Sequence, residues 1–359
     1  MSELTFEQML EESFKTIHNG EVVDGTVIDV KPDEIILNIG YKADGIITRS
    51  EYTNESGLDL TTVVSVCDDG KSTGRLRDEF HIPAVGDIRR VLVALSETEP
   101  LALELLNYRF KTTSDLNGHT VGNLLLAGCT NITGNMSDGI EALSKILNLK
   151  GKVLPLTEDN VILMADMSDG TTIEGEHLIT ESNKKINRVY YKEKANVNEK
   201  VIKAIKEADL IVLSMGSLYT SIIPNLIIDD VVKEIENSKA KIVYTCNLMT
   251  QPGETDDFKV SDHIKILNKY LGNRNIDIVI ANNSIIDKKI ANKYSNLEQK
   301  DPVILDVNEV RKLNAKILSD DFAIIENNVL RHDTLKLGYN IFSVLINENN
   351  NVKRKVLKK

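Results

Sequence analysis

The sequence predicts an α/β protein with a Rossmann-like, doubly wound and mainly parallel sheet, preceded by a small N-terminal β segment. After residue 60, near-continuous apolar runs alternate with helical patterns, which is typical of strands covered on both faces by crossover helices. Before residue 60, short stretches alternate apolar and polar residues, which is typical of strands buried on one face. The chain has 359 residues, 42% of them hydrophobic, and can therefore bury one large core.

The N-terminal part divides into a helix and a few short strands. Residues 3–17 carry apolar residues at helical spacing and predict a short helix. The stretches EVVDGTVIDV, EIILNIG and ADGIITRSEY predict three strands between Glu21 and Tyr52, followed by the turn-rich junction TNESGLDL. We therefore expect domains at residues 1–56 and 57–345, with a basic tail, NVKRKVLKK, in residues 346–359.

The larger part reads as helices that alternate with buried strands. The apolar runs predicted as strands are VVSV, KVLPLT, VILMADM, LIVLSM, KIVYTCN and IDIVIAN. The predicted helices are Gly86–Ser96, Gly118–Thr130, Asp138–Leu147, Asn198–Ala208, Asn225–Ser238 and Val260–Leu271. Such an alternation places the carboxyl ends of the strands at one edge of the sheet, where doubly wound proteins bind their ligands.

Composition narrows the class of protein. The formal net charge of −11 disfavours broad binding to a nucleic-acid backbone, which requires a basic face. The three cysteines, Cys67, Cys129 and Cys246, are far apart and form no CxxC pair, so they predict buried thiols in a reducing cytoplasm. The sequence contains no signal peptide and no apolar run of about eighteen residues. We expect a cytoplasmic protein without a membrane span.

The stretch VSVCDDGKSTGRLRDEF contains GKS followed by Thr, which suggests a phosphate-binding P-loop. A P-loop requires a glycine five residues before the GK pair, and that position is Ser65. A P-loop is followed by a helix, and no apolar run after the lysine predicts one. The P-loop interpretation therefore fails, and what remains is an apolar run that ends in a polar, glycine-containing turn.

Four polar loops follow apolar runs and combine glycines with hydroxyl or amide side chains. They are CDDGKSTGRLRDEF, LNGHTVGNLLLAG, SMGSLYTSIIPNL and CNLMTQPGETD. Such loops offer close backbone approach and free amides at helix N-termini, which suit an anion. Each loop also has a structural explanation, because Gly, Ser and Thr are good capping residues. Together the four loops indicate a binding site more strongly than any one of them.

Individual side chains in these loops leave alternatives open. Asp68 and Asp69 suit a ribose, a metal or a base edge, but two aspartates also occur in solvated turns. Arg75 and Arg77 could neutralise phosphate or pair with neighbouring carboxylates. His119 is either a hydrogen-bonded structural residue or a ligand contact, and Asn123 lies one turn further along the same face. No Ser–His–Asp order and no HExxH spacing is present.

Several blocks of the sequence are similar to the gluconeogenesis-factor family, which is related to 2-phospho-L-lactate transferase and has the CofD-like fold. The blocks are DDGKSTGRLRDEFHIPAVGDIRRVLVALS, GHTVGNLL, GSLYTSIIPNL, NLMTQPGETD and RHDTLKL, in family order between Thr61 and Leu337. The resemblance implies a nucleotide-sugar ligand such as UDP-N-acetylglucosamine and a regulatory role in cell shape and wall synthesis during gluconeogenic growth. It also implies an alternative, a phospholactyl-type transferase acting on a deazaflavin precursor, in which Asp68 and Asp69 would bind Mg²⁺.

The loops and the resemblance together predict one ligand site at the carboxyl ends of the strands. The residues expected to form it are Asp68, Asp69, Gly70, Ser72, Gly74, Arg75, Asp87, His119, Gly122, Asn123, Gly216, Ser217, Tyr219, Thr220, Asn247, Thr250 and Gln251. The expected ligand is a nucleotide sugar or a dinucleotide, with no certain cofactor and with Mg²⁺ only for a transferase. No catalytic residue is assigned, and the sequence leaves homo-oligomerisation open.

The N-terminal part departs from that family. The family begins with a strand and a GGGTG-type loop about thirty residues before the DDG block, and residues 1–60 contain no such loop. Residues 20–52 instead resemble the first part of the RNA-binding OB repeat of ribosomal small-subunit protein one. An RNA-binding module is therefore a third hypothesis. We expect no RNA partner, because the acidic chain offers only Tyr41 and Tyr52 as stacking platforms in this segment.

Overall fold

The computed structural model describes residues 23, 25–30, 34–41, 43–48, 59–326 and 329–356, with side chains up to residue 346. The chain divides into two compact units, Met1–Leu60 and Thr61–Lys359. The predicted helix over residues 3–17 lies outside the described residues. Among the helices that are described, none combines the length and the hydropathy that crossing a bilayer requires.

The first unit contains an antiparallel sheet in the order β1-β2-β3, which confirms the three predicted strands. The strands are β1 (Thr26–Val30), β2 (Glu34–Asn38) and β3 (Gly45–Thr48). Val30 pairs with Ile35, and Ile35 pairs with Ile47. Three apolar side chains of this sheet, those of Val27, Ile28 and Ile46, are more than half exposed.

The second unit contains the remaining strands. They are β4 (Thr61–Val64), β5 (Lys152–Pro155), β6 (Leu163–Met167), β7 (Thr172–Glu174), β8 (Ile186–Tyr191), β9 (Leu210–Leu213), β10 (Lys241–Thr245), β11 (Ile278–Asn282), β12 (Lys316–Asp320), β13 (Ala323–Glu326) and β14 (Val329–His332). A parallel sheet has the order β12-β11-β10-β9, and β4 pairs in parallel with β5. These parallel sheets, with helices between their strands, confirm the predicted fold class.

The helices of the second unit connect these strands. They are α1 (Lys71–Phe80), α2 (Gly86–Ala94), α3 (Pro100–Asn107), α4 (Val121–Thr133), α5 (Met136–Ile146), α6 (Glu176–Glu181), α7 (Glu199–Glu207), α8 (Asp229–Asn237), α9 (Val260–Tyr270), α10 (Lys288–Glu298), α11 (Val307–Lys312) and α12 (Thr334–Val356). All six predicted helices are present with small shifts at their ends. The last helix, α12, runs into the segment that the sequence indicated as a basic tail.

Two local expectations were wrong. The run VILMADM gives β6, which pairs antiparallel with both β7 and β8 and lies outside the parallel sheets. A helix, α1, does begin at Lys71, directly after the DDG turn. The sequence pattern did not predict α1, because the buried face of this helix has only one large apolar residue, Leu76. The other buried residues are Ser72, Thr73, Gly74 and Arg77.

The central strands of the four-stranded sheet, β10 and β11, are buried on both faces. Ile242 and Tyr244 of β10 point into the large core, whereas Val243 between them packs with Phe322 and with Leu337 of α12. This alternation explains why the run KIVYT carries no polar residue between its first and last positions. The three cysteines are free thiols, two of them buried, while Cys129 is half-buried.

Strands β4 and β9 each pair with one neighbour among the described residues, β4 with β5 and β9 with β10. Three of the four residues of each strand are half-buried, as at the edge of a sheet.

Candidate functional site

The DDG turn, Asp68–Gly70, connects the strand β4 to the helix α1. The Asp68 Oδ1 atom accepts a hydrogen bond from the Gly70 amide at 2.8 Å, and Asp69 Oδ1 accepts one from the His177 amide at 2.8 Å. The amides of Thr73 and Gly74 are already bonded to the Gly70 carbonyl. The first amides of α1 therefore remain for a ligand or water, because Gly70 at the N-cap supplies no side chain.

Gly74 is required by packing. A Cβ atom at this position would lie 2.1 Å from the carbonyl oxygen of Asp69, so the second aspartate of the turn rests directly on the helix. Gly122 of α4 has a similar explanation, because a Cβ there would lie 2.8 Å from Cγ of Arg89. Both predicted site glycines thus bring site elements together by close approach.

A chain of hydrogen bonds leads from Arg89 to His119. Arg89 Nε donates to Asn123 Oδ1 at 3.4 Å, Asn123 Nδ2 donates to Ser72 Oγ at 3.3 Å, and Ser72 Oγ lies 3.0 Å from His119 Nδ1. Arginine can only donate, so the network orients the Asn123 amide, whose Nδ2 faces Ser72 Oγ. The Ser72 hydroxyl can either donate to His119 Nδ1 or accept from it, depending on the His119 tautomer. Burial, followed by the charge of Arg75, lowers the pKa of His119.

The loop after β9 is held by the loop after β10. Asn247 Nδ2 donates to the Gly216 carbonyl at 2.9 Å, and Ser217 Oγ donates to Gln251 Oε1 at 2.8 Å. The buried Glu254 carboxylate accepts the Tyr219 amide at 3.0 Å and the Thr220 hydroxyl at 3.2 Å. This network anchors the π-helical turn Leu218–Ile222.

The short helix α6 lies between these two groups of loops. At its start, the His177 amide binds Asp69, and a Cβ on Gly175 would lie 2.4 Å from Asp69 Oδ2. At its end, a Cβ on Gly253 would lie 2.1 Å from the Ser182 carbonyl oxygen. Because six helical residues rise about 9 Å, the DDG turn and the QPGET loop lie on opposite ends of a short spacer.

Several carboxyl groups crowd around the DDG turn. Burial raises the pKa of Glu176 to about 7, and the charge of Asp68 adds to the effect. Burial also raises the pKa of Asp87, although Arg90 lies 2.9 Å from its carboxylate. Among the described residues, no group of three His, Cys, Asp or Glu side chains is arranged to hold a metal ion. Asp68 and Asp69 each use Oδ1 to accept a backbone amide.

The Glu176 shift predicts a pH-dependent stability. Its folded pKa lies above its unfolded value of 4.5, so the stabilisation is complete below pH 4.5 and is lost as the pH rises through 7. The native chain should therefore lose about 1–3 kcal/mol of unfolding free energy between pH 5 and pH 8 relative to Glu176→Gln, because glutamine does not titrate. Urea unfolding at both pH values measures this difference. A constant difference between the two proteins would contradict the shift.

The remaining predicted site residues have structural contacts. Arg75 donates to the Asn117 carbonyl at 3.2 Å, and Thr250 Oγ1 accepts the Asp301 amide at 2.9 Å. Tyr219 is only 2% exposed, and the Thr220 hydroxyl donates to Glu254.

Sequence reasoning missed Arg89, Glu176 and Glu254. Only Glu254 lay in a quoted loop, and nothing in the pattern around Glu176 marks it as part of a site. The structure therefore groups the loops, and a ligand role for each residue stays a prediction.

Two shallow surface cavities lie along α7 and contain none of these residues. The first, of about 370 Å³, is lined by Glu158, Asp159 and residues 196–200, and the second by residues of α7. Both are open grooves beside one polar helix. They do not bear on the loops described above.

Comparison with known proteins gives two family matches. Residues 48–323 match the family model of 2-phospho-L-lactate transferase CofD, and residues 16–72 match the S1 RNA binding domain. The gluconeogenesis factor of Bacillus subtilis is 44% identical over 282 residues, which cover 78% of this chain and 89% of that protein. The gluconeogenesis factor of Listeria innocua is 36% identical over 325 residues, covering 90% and 98%.

A solved structure is also similar. A crystal structure of a Bacillus halodurans protein superimposes with a TM-score of 0.77 at 43% sequence identity. The superposition covers 79% of this chain and 91% of that protein. The parallel sheets and their helices therefore recur in an experimentally determined fold.

Proposed function

The chain belongs to the CofD family, and within it to the gluconeogenesis factors; from this premise we propose that it is a regulatory protein that binds a nucleotide sugar such as UDP-N-acetylglucosamine. Its role would lie in cell morphogenesis and wall synthesis during gluconeogenic growth. The observation that carries the proposal is that the polar loop after β4 meets one end of α6, while the hydrogen-bonded loops after β9 and β10 meet the other end.

The chemistry of these loops suits the two parts of such a ligand. The first amides of α1 donate hydrogen bonds, which favours the oxygen atoms of a diphosphate. The half-buried Asn247 and Ser217 on the other side of α6 suit hydroxyl and amide groups of a sugar. The acidic side chains around the DDG turn would repel a bare polyanion, which favours a ligand that also brings neutral hydrogen-bonding groups.

Thermal unfolding in the presence of UDP-sugars, dinucleotides and GDP tests the proposal. A ligand that binds only the native state at about 100 times its Kd adds about 2.7 kcal/mol of stability. We expect UDP-N-acetylglucosamine to raise Tm more than GDP or a dinucleotide. A Tm that no UDP-sugar raises would contradict the proposed function.

The family model favours one alternative, a transferase. Such an enzyme would use Mg²⁺ to assist phosphoryl transfer. Asp68 and Asp69, the aspartates available for the ion, accept backbone amides of Gly70 and His177. We assign no catalytic step to this chain, and magnesium-dependent turnover of a phospholactyl donor would favour the transferase.

The S1 match favours RNA binding as a second alternative, and we predict that it is absent. An OB barrel hides its edges by closing five strands, whereas the first unit shows three strands in its described residues. Single-stranded RNA should therefore not shift in electrophoretic mobility at physiological salt and micromolar protein. Micromolar binding that is lost when residues 1–55 are deleted would show that this segment is an RNA-binding module.

A further inference from the structure

We propose that Glu254 is a positioning residue that makes the Ser217 hydroxyl a hydrogen-bond acceptor for a hydroxyl or amide N–H of the bound ligand. The inference rests on the proposed function, because it assumes that the loop after β9 faces the ligand. It adds the chemical class of the ligand group at this position: a neutral donor, in contrast to the anion expected at α1.

In its ionised form Glu254 defines the direction of the network, because a carboxylate can only accept. Its side chain is 2% exposed and faces three donors: the Tyr219 amide at 3.0 Å, the Thr220 hydroxyl at 3.2 Å and Gln251 Nε2 at 2.6 Å. A main-chain amide can only donate, so the carboxylate cannot be replaced by a donor without conflict at Tyr219.

Glu254 then orients the side-chain amide of Gln251. The nitrogen of this amide must face Glu254, since the opposite orientation would place a carbonyl oxygen 2.6 Å from a carboxylate oxygen. The Gln251 Oε1 atom consequently faces Ser217, whose Oγ lies 2.8 Å away. An oxygen at that position accepts the only proton of the Ser217 hydroxyl.

The Ser217 Oγ atom can offer only its lone pairs to a ligand. Within residues 59–326, its Oγ atom makes no other hydrogen bond, and the residue is half-buried. A hydroxyl whose proton is used internally can only accept from a ligand. A ribose or sugar hydroxyl or an acetamido N–H would meet this requirement, whereas a phosphate oxygen would place lone pairs against lone pairs.

A double-mutant cycle tests the positioning role. Calorimetric titration with UDP-N-acetylglucosamine at pH 8.5, above the Glu254 pKa of about 7, compares Ser217→Ala, Glu254→Gln and the double variant. Each single variant should lose affinity about three- to tenfold, because Glu254→Gln allows Gln251 to flip and turns the Ser217 proton toward the ligand. The double variant should bind no more weakly than Ser217→Ala.

The control is Ser221→Ala on the same turn, whose affinity should equal that of the native chain. Native affinity in Ser217→Ala would overturn the acceptor role. An undiminished effect of Glu254→Gln in the Ser217→Ala background would show that Glu254 acts only by holding the loop, and would overturn the positioning role.

A measurement without ligand separates this inference from the proposed function. In the ¹H–¹⁵N spectrum of the free protein, one side-chain amide proton of Gln251 should exchange slowly and lie downfield, because it donates to a carboxylate. The Glu254→Gln variant should lose this shift. A rapidly exchanging Gln251 amide in the native chain would overturn the proposed orientation of Gln251 by Glu254. If the native chain does not bind UDP-N-acetylglucosamine but keeps the protected amide, only the nucleotide-sugar function is contradicted.

Discussion

Replacing residues 1–60 with a strand–GGGTG–helix segment is expected to raise the affinity for UDP-N-acetylglucosamine about a hundredfold or more. Such a segment would supply the first strand of a doubly wound sheet, which we expect to pair with β4 and β9, since each of these has one partner among the described residues. A glycine-rich turn at the start of a helix presents several amides to phosphate. Two charge-assisted hydrogen bonds of about 1.5–3 kcal/mol each account for the gain.

Calorimetric titration of both proteins measures this gain. The matched control carries the same strand and helix but an AAATA loop, which should restore the sheet without the close approach to phosphate and should bind about as weakly as the native chain. Equal affinity of the native chain and the GGGTG protein would show that the glycine loop is irrelevant to this site.

Arg77→Met is expected to destabilise the protein by about 2–4 kcal/mol, because it removes a buried charge that satisfies two buried carbonyl groups. The Arg77 side chain is 5% exposed and donates to the carbonyl of Cys67, at 3.3 Å, and to that of Val161. Methionine keeps most of the apolar stem, so the loss reports the hydrogen bonds. Because Cys67 precedes the DDG turn, the same change should also weaken ligand binding.

Arg75→Met, two residues earlier on α1, is the matched control. Arg75 is exposed and donates to a single carbonyl, that of Asn117, so its loss should cost no more than about 0.5–1 kcal/mol. Urea unfolding of both variants gives the comparison. Equal destabilisation by the two substitutions would show that the buried hydrogen bonds of Arg77 do not stabilise the protein.

The sequence predicted the parallel strands β4, β5, β9, β10 and β11 because their apolar runs are continuous, as in KIVYT and IDIVIAN. It missed the parallel strand β12, whose sequence KILSD has no continuous apolar run. It failed at α1, where the buried face is formed by Ser72, Thr73 and Gly74 and gives no apolar stripe. It also failed for VILMADM, because apolar content does not determine the partner of a strand, and β6 pairs antiparallel. Pairing direction depends on connections that a local pattern does not contain.

The candidate site was predictable only in part. The loops could be found because glycine, hydroxyl and amide residues follow apolar runs, and the structure groups them around α6. The side chains that set the direction of the hydrogen-bond chains, Arg89 and Glu254, could not be assigned, because the contacts that give them this role arise only in the fold. Arg89 reaches Asn123 across 34 positions of the sequence, and Glu254 reaches the Tyr219 amide across 35.

The most direct test is an NMR titration of the ¹⁵N-labelled chain with UDP-N-acetylglucosamine. If the loops after β4, β9 and β10 form one nucleotide-sugar site, the backbone amides of Gly70, Gly216 and Asn247 should shift together along a single saturating isotherm. Shifts confined to one of these loops, separate isotherms for them, or shifts restricted to β1–β3 would contradict a shared site.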